Sequence, residues 1–124
     1  MSNKKVLMIE DDRVFADIHM RIMSESAFTA VHVVSGDEII RRVEAEKPDL
    51  IVLSISLSQH DGFAVLEALR KDASLKRVPI IILSRLSTKE DIDRAFELGA
   101  TEYMIKAQHT PEDVVLHIKK LLTE

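Results

Sequence analysis

The chain predicts an α/β fold, an open parallel sheet with helices on both faces, and two periodicities carry that expectation. Short continuous apolar runs at residues 6–9, 30–34, 50–53, 80–83 and 103–105 read as strands buried on both sides, as a parallel sheet requires. Between them apolar residues recur three and four apart, as at Val14, Phe15, Ile18, Ile22 and Met23 or at Phe63, Val65, Leu66 and Leu69, which is the spacing of amphipathic helices. Five strand-then-helix units in succession wind right-handedly into one layer of strands between two of helices. The 124 residues suit one domain, 1–124, with no linker, repeat or low-complexity segment.

The helix ends carry their own signals. Ser35-x-x-Glu38 and Ser87-x-x-Glu90 have the capping-box pattern and predict helices that start at those serines. Thr110-Pro111-Glu112-Asp113 puts an N-cap, a first-turn proline and two acids at the start of the last helix, and Lys119 and Lys120 suit the negative end of its dipole. Gly99, after Ala95, Phe96 and Leu98, reads as a left-handed helix stop.

Composition excludes several classes of function. Lys and Arg number 17 against 21 Asp and Glu, a net charge of −4, so this chain alone is not expected to bind nucleic acid. The cysteine count is 0, which removes disulfides, thiolate metal sites and cysteine catalysis and suits a reducing cytoplasm. No apolar span approaches the roughly 20 residues that a membrane helix needs, so a cytoplasmic location without membrane contact is expected. His19, His32, His60, His109 and His117 form no pair at metal-ligand spacing on one helix face, and no Gly-rich phosphate loop follows a strand.

In open α/β sheets ligands bind outside the carboxyl ends of the strands, so the residues there are the candidates. The first run ends in Glu10-Asp11-Asp12. Three adjacent acids repel one another, which a hard cation would relieve; alternatively Asp12 caps the next helix and the other two are solvated. The third run ends in Ser54-Ile55-Ser56, the fourth in Ser84-Arg85 and the fifth in Lys106-Ala107. Acids, hydroxyls and a lysine from separate strands would converge on one shallow site.

With those residues in that order, the chain resembles a receiver domain of the two-component response regulators over nearly its whole length. The resemblance rests on residues 6–12 (VLMIEDD), 48–53 (PDLIVL) leading to Asp61-Gly62, 78–84 (VPIIILS) and 99–106 (GATEYMIK). It implies a doubly wound, flavodoxin-like five-stranded sheet of order 2-1-3-4-5. It also implies a chemistry. In such domains an aspartate ending the third strand accepts a phosphoryl group from a histidine kinase, while two acids of the first strand, that aspartate and a backbone carbonyl hold Mg²⁺. Carried over, Glu10 and Asp11 match the acidic pair, Ser56 the backbone ligand, Ser84 and Lys106 the phosphoryl contacts, and Tyr103 the aromatic that reorients on activation. Ser54 stands where the acceptor aspartate is expected.

An aspartate attacks phosphorus already ionised, whereas a serine hydroxyl needs a general base. The expectation is therefore an unphosphorylated Ser54 and a weak Mg²⁺ site, because one carboxylate and the phosphate ligand are lost together. Ser58 and Ala107 stand where such domains usually have proline, and Arg85 where a small residue keeps the mouth open. Arg85 either reaches Glu10, Asp11 or Asp12 and blocks the site in place of the metal, or lies on the surface beside the fourth helix. The function expected is a phosphorylation-independent protein-interaction module, not an enzyme, that meets a histidine kinase or a downstream target. The fourth helix, fifth strand and fifth helix, with mixed charges such as Asp91, Arg94, Glu97 and Lys119, are the expected surface for partners or a homodimer. Two rivals stay open: an ordinary phosphoryl-accepting receiver with a substituted acceptor or using Asp11 or Asp12, and a flavodoxin-like binder of a small ligand.

Overall fold

A computed structural model describes residues 3–123. Strands β1 (Lys5–Ile9), β2 (Thr29–Val33), β3 (Leu50–Ser54), β4 (Ile80–Ser84) and β5 (Glu102–Ile105) form one parallel sheet in the order β2-β1-β3-β4-β5. Helices α1 (Arg13–Glu25), α2 (Ile39–Glu46), α3 (Gly62–Lys71), α4 (Lys89–Glu97) and α5 (Pro111–Leu122) connect them and follow the last strand. The doubly wound architecture and strand order predicted above are those observed.

Alternation along each strand divides the apolar residues between two cores. Leu7, Ile9, Ile51, Leu53, Ile80 and Ile82 face one side, where Ile39 and Val43 of α2, Phe63 and Leu66 of α3 and Ala95 of α4 cover them. Val6, Met8, Leu50, Val52, Ile81 and Leu83 face the other, under Ala16 and Met23 of α1 and Val114 and Ile118 of α5. Burying one such side chain contributes about 1.5–3 kcal/mol, so these two layers supply most of the favourable free energy of folding.

Burial on both faces holds for the central β1, β3 and β4 and fails at the margins. Thr29 of β2 is exposed and Ala30, Val31 and His32 are only partly covered, because an edge strand has a neighbour on one side only. The apolar stripe predicted for α1 is also corrected. Met23 is buried and Phe15 and Ile22 pack against the core as expected, but Val14 and Ile18 are exposed and Ala16 and His19 are buried in their stead, so the buried face is rotated from the predicted stripe.

Two predicted caps are replaced. Helix α2 starts after Glu38, which sits at φ 64° with no side-chain cap, because the Ser35 hydroxyl bonds Asp11 instead. Thr88, not Ser87, caps α4 by accepting from Asp91 N. The Thr110 capping box on α5 forms as expected. Gly99, at φ 109°, ends α4 in a Schellman motif: Gly99 N donates to Phe96 O and Ala100 N to Ala95 O. Among the described residues no helix is long and apolar enough to cross a membrane.

Candidate functional site

Strand register brings the candidate residues to one edge of the sheet. Ile9 pairs with Leu53, Ser54 with Leu83 and Ser84 with Ile105, so Glu10, Ser54, Ser84 and Lys106 all leave the sheet at its carboxyl end. The β3–α3 loop closes over this edge through an isolated bridge between Ser56 and Asp61 and a hydrogen bond from Gly62 N to Ile55 O. Gly62 is required there, because a Cβ would lie 2.3 Å from Ile55 O.

Glu10 is the centre of the site and is 2% exposed. Its Oε1 accepts from Lys106 Nζ at 2.8 Å and from the Ser54 hydroxyl, and its Oε2 accepts from Asp12 N at 3.0 Å. The Lys106 ammonium also lies 4.2 Å from the centroid of the Phe15 ring, a cation–π contact that shields the pair from water. Behind Phe15, His19 is buried with its ring centroid 4.4 Å away and its Nδ1 on Phe15 O.

Asp11 points elsewhere. It accepts from Ser35 N and Ser58 N, each at 2.6 Å, and from the hydroxyls of both serines. Burial alone would raise its pKa, but those bonds from Ser35 and Ser58 outweigh it and hold the carboxyl at about 2. Ser58 matters through its backbone as much as its side chain: a proline at 58 would have no N–H to give. Asp12 takes the local alternative and caps α1 by accepting from Phe15 N.

Ser84 is buried, and its hydroxyl accepts from Leu86 N at 3.0 Å. Tyr103 packs against the core and donates to Leu86 O at 2.8 Å. Ser56 is exposed on the loop beyond Ser54. The blocking role read for Arg85 is not what the structure shows: Arg85 is exposed and makes no ion pair with Glu10, Asp11 or Asp12 among the described residues. The cation that reaches the acids is Lys106. A separate apolar groove of about 300 Å³ runs between α2 and α3, lined by Ile39, Ile40, Ala64, Val65 and Ala68 under His60, and shares none of these side chains.

The donor set does not fit a divalent cation as it stands. Mg²⁺ demands near-octahedral oxygen ligands at about 2.0–2.1 Å. Here Glu10 is bound to an ammonium and a hydroxyl, Asp11 is saturated by four donors, and Ser54 offers no negative charge. Glu10, Ser54, Ser84 and Lys106 come together at the carboxyl edge of the sheet, and Ser35, whose hydroxyl sequence reasoning assigned to a helix cap, joins them through Asp11.

Comparison with known proteins agrees with this geometry. A family model described as "Response regulator receiver domain" matches residues 6–119. The alkaline phosphatase synthesis transcriptional regulatory protein PhoP of Bacillus subtilis is 32% identical over 120 residues, 97% of this chain and 49% of that protein, so the chain spans about half the length of such a relative. The receiver domain of a signal transduction histidine kinase from Syntrophus aciditrophicus is 29% identical with a TM-score of 0.85, covering 97% of this chain and 90% of that one. The BeF3-activated N-terminal receiver domain of Klebsiella pneumoniae RstA is 25% identical with a TM-score of 0.83, covering 98% and 100%.

Proposed function

This chain belongs to the response regulator receiver domain family, signalling modules rather than classical enzymes, and from that premise we propose that it acts in two-component signalling without being phosphorylated. The observation that carries the reading is Ser54. It occupies the end of β3, is 0% exposed, and its hydroxyl donates to Glu10. A nucleophile must meet its donor, and this oxygen has no accessible surface. Among the described residues the one carboxylate it touches, Glu10, already accepts from the Lys106 ammonium, so no free base stands ready to take its proton.

Receiver domains of this family meet histidine kinases and effector domains. For this chain we place the partner surface on α4, β5 and α5, where the ring of Phe96 is exposed and Glu97 and Lys119 are exposed charges of opposite sign. Mixed charge of this kind fixes register more than it adds affinity. The same face would serve a homodimer, and the setting is the cytoplasm.

Incubation with acetyl phosphate and Mg²⁺, followed by intact-mass analysis, tests the reading. The expected result is an unlabelled chain. A gain of one phosphoryl group, mapped to Ser54, Asp11 or Asp12, overturns it in favour of an ordinary phosphoryl-accepting receiver.

A further inference from the structure

We propose that the Lys106 ammonium holds the place of a divalent cation in this domain, closing the acidic site with an internal ion pair and making it indifferent to Mg²⁺. The inference deepens the reading above and is tested apart from it.

Three observations carry it. First, Glu10 is a buried carboxylate at 2% exposure, and Lys106, with its side chain 12% exposed, is the one countercharge within salt-bridge distance among the described residues. A carboxylate so buried needs a cation, and the chain supplies one from the residue that follows its fifth strand. Second, the residues between the two are built for that reach. Ser54 of β3 extends only a hydroxyl, which adds a hydrogen bond to Glu10 without adding a second negative charge that would compete for the ammonium. Phe15 forms the wall on which Nζ rests at 4.2 Å from the ring centroid, a cation–π contact that a hydrated metal ion could not replace. Third, the neighbouring acid has been withdrawn. Both oxygens of Asp11 accept donors from Ser35 and Ser58, on the β2–α2 and β3–α3 loops. Entry of a metal would have to displace the ammonium from Glu10 and strip the serine donors from Asp11, with no acceptor left for either set.

The experiment is Mn²⁺ titration of the isotope-labelled domain, read as paramagnetic broadening of backbone amides, with melting temperature in Mg²⁺ against chelator as a second readout. In the wild type, low millimolar Mn²⁺ should leave the amides of Glu10, Asp11 and Ser54 no more broadened than surface amides, and Mg²⁺ should leave the melting temperature unchanged. In Lys106→Met, Glu10 loses its countercharge while Ser54 and Asp12 N still donate to it, so broadening centred on Glu10 should saturate, with an apparent affinity at least about tenfold tighter than in the wild type. Mg²⁺ should then raise the melting temperature of that variant. Should Lys106→Met fail to fold, Lys106→Gln keeps a donor for Glu10 and serves in its place. Lysine ¹⁵Nζ spectra of the wild type provide an arm that needs no variant: Lys106 should show a slowly exchanging ammonium coupled to Glu10. Saturable Mn²⁺ broadening at Glu10 and Asp11 in the wild type overturns the proposal, as does a Lys106 ammonium that exchanges like exposed lysines. Metal binding without acetyl-phosphate labelling would sink this inference alone. Labelling would sink the function reading alone if it occurred without metal at these acids.

Discussion

The hydroxyl of Tyr103 donates to the backbone carbonyl of Leu86 at 2.8 Å, while the amide of the same Leu86 donates to the Ser84 hydroxyl at 3.0 Å. Both polar groups of one loop residue are thus held, one by the hydroxyl that ends β4 and one by the aromatic of β5. The Tyr103 ring is held by its bond to Leu86 O and by its packing against the core rather than by anything at Ser54.

Tyr103 is the single tyrosine of a chain without tryptophan, so its own absorbance and fluorescence report on this contact alone. Burial raises its pKa above the usual 10, with the Asp91 charge in the same direction and the Ser84 hydrogen bond opposing them. Alkaline spectrophotometric titration should therefore show a phenol that ionises above 10 in the folded domain. Its fluorescence should not change when Mg²⁺ and beryllofluoride are added together. A saturable change would mean that the ring still answers to the strand-end site.

The strands were legible in the sequence because residues buried on both faces must be apolar without interruption, and that leaves a local trace at residues 50–53 and 80–83. The strand order came with the family resemblance. The site residues were legible by position, since strand ends must face the crevice. Their partners were not. Ser35 has the spacing of a capping box, yet its hydroxyl goes to Asp11, 24 residues earlier in the chain, a choice fixed only once β1 and β2 lie side by side. Arg85 and Lys106 both carry a long cation at the site's rim; the family resemblance implied an inward role for Lys106 but gave no direction for Arg85. Only the structure shows Lys106 turned inward on Phe15 and Arg85 turned to solvent.

Arg70 lies in the last turn of α3. Its guanidinium donates to Leu75 O at 3.0 Å, Val78 O at 2.7 Å and Gly99 O at 2.8 Å, tying the α3–β4 and α4–β5 connections together. A lysine has a compact ammonium and cannot fork to these carbonyls, so Arg70→Lys should cost about 2–3 kcal/mol in urea denaturation. Gly99→Ala should also destabilise, because its φ is 109° and a Cβ would sit 2.5 Å from Arg70 Cγ. The two changes share one contact, so the double variant should lose less than the sum of the singles. Strict additivity would show that the clamp is not a unit.

His19 gives the domain a weak acid sensitivity. Burial lowers its pKa from 6.5, aided by the Lys106 charge and opposed by the hydrogen bond to Phe15 O and the charges of Glu10 and Glu112. Above 6.5 the imidazole is neutral in both states and contributes no pH dependence. As pH falls below that value the unfolded chain takes up a proton that the folded chain resists, so stability declines, by at most about 1.4 kcal/mol per pH unit. Urea midpoints compared on either side of 6.5 should show the decline in the wild type and its loss in His19→Gln.

Asp11 should set the next step of acid unfolding. Its pKa in the folded domain is about 2 against 3.8 for the free side chain, so its stabilisation is fully present above 3.8 and is lost as pH falls toward 2. One pKa unit is worth about 1.4 kcal/mol, so the difference corresponds to at most about 2 kcal/mol, and to less once solvent screening of this partly exposed carboxyl is counted. Asp11→Asn keeps the shape but offers one acceptor oxygen and an amide that faces the Ser35 or Ser58 donors, so at neutral pH it should lose about 2 kcal/mol. The deficit should close as the wild type is titrated through the same acid range, because both side chains are then neutral. Ser58→Pro separates the causes. It deletes a backbone donor at 2.6 Å and a hydroxyl at 2.9 Å while leaving the Ser35 bonds, so the Asp11 pKa should rise part of the way back toward 3.8. Carboxyl ¹³C titration of the two proteins reads that shift directly. An Asp11 that titrates identically in both would show that Ser35 alone holds the carboxylate and that Ser58 contributes nothing to its withdrawal from Glu10.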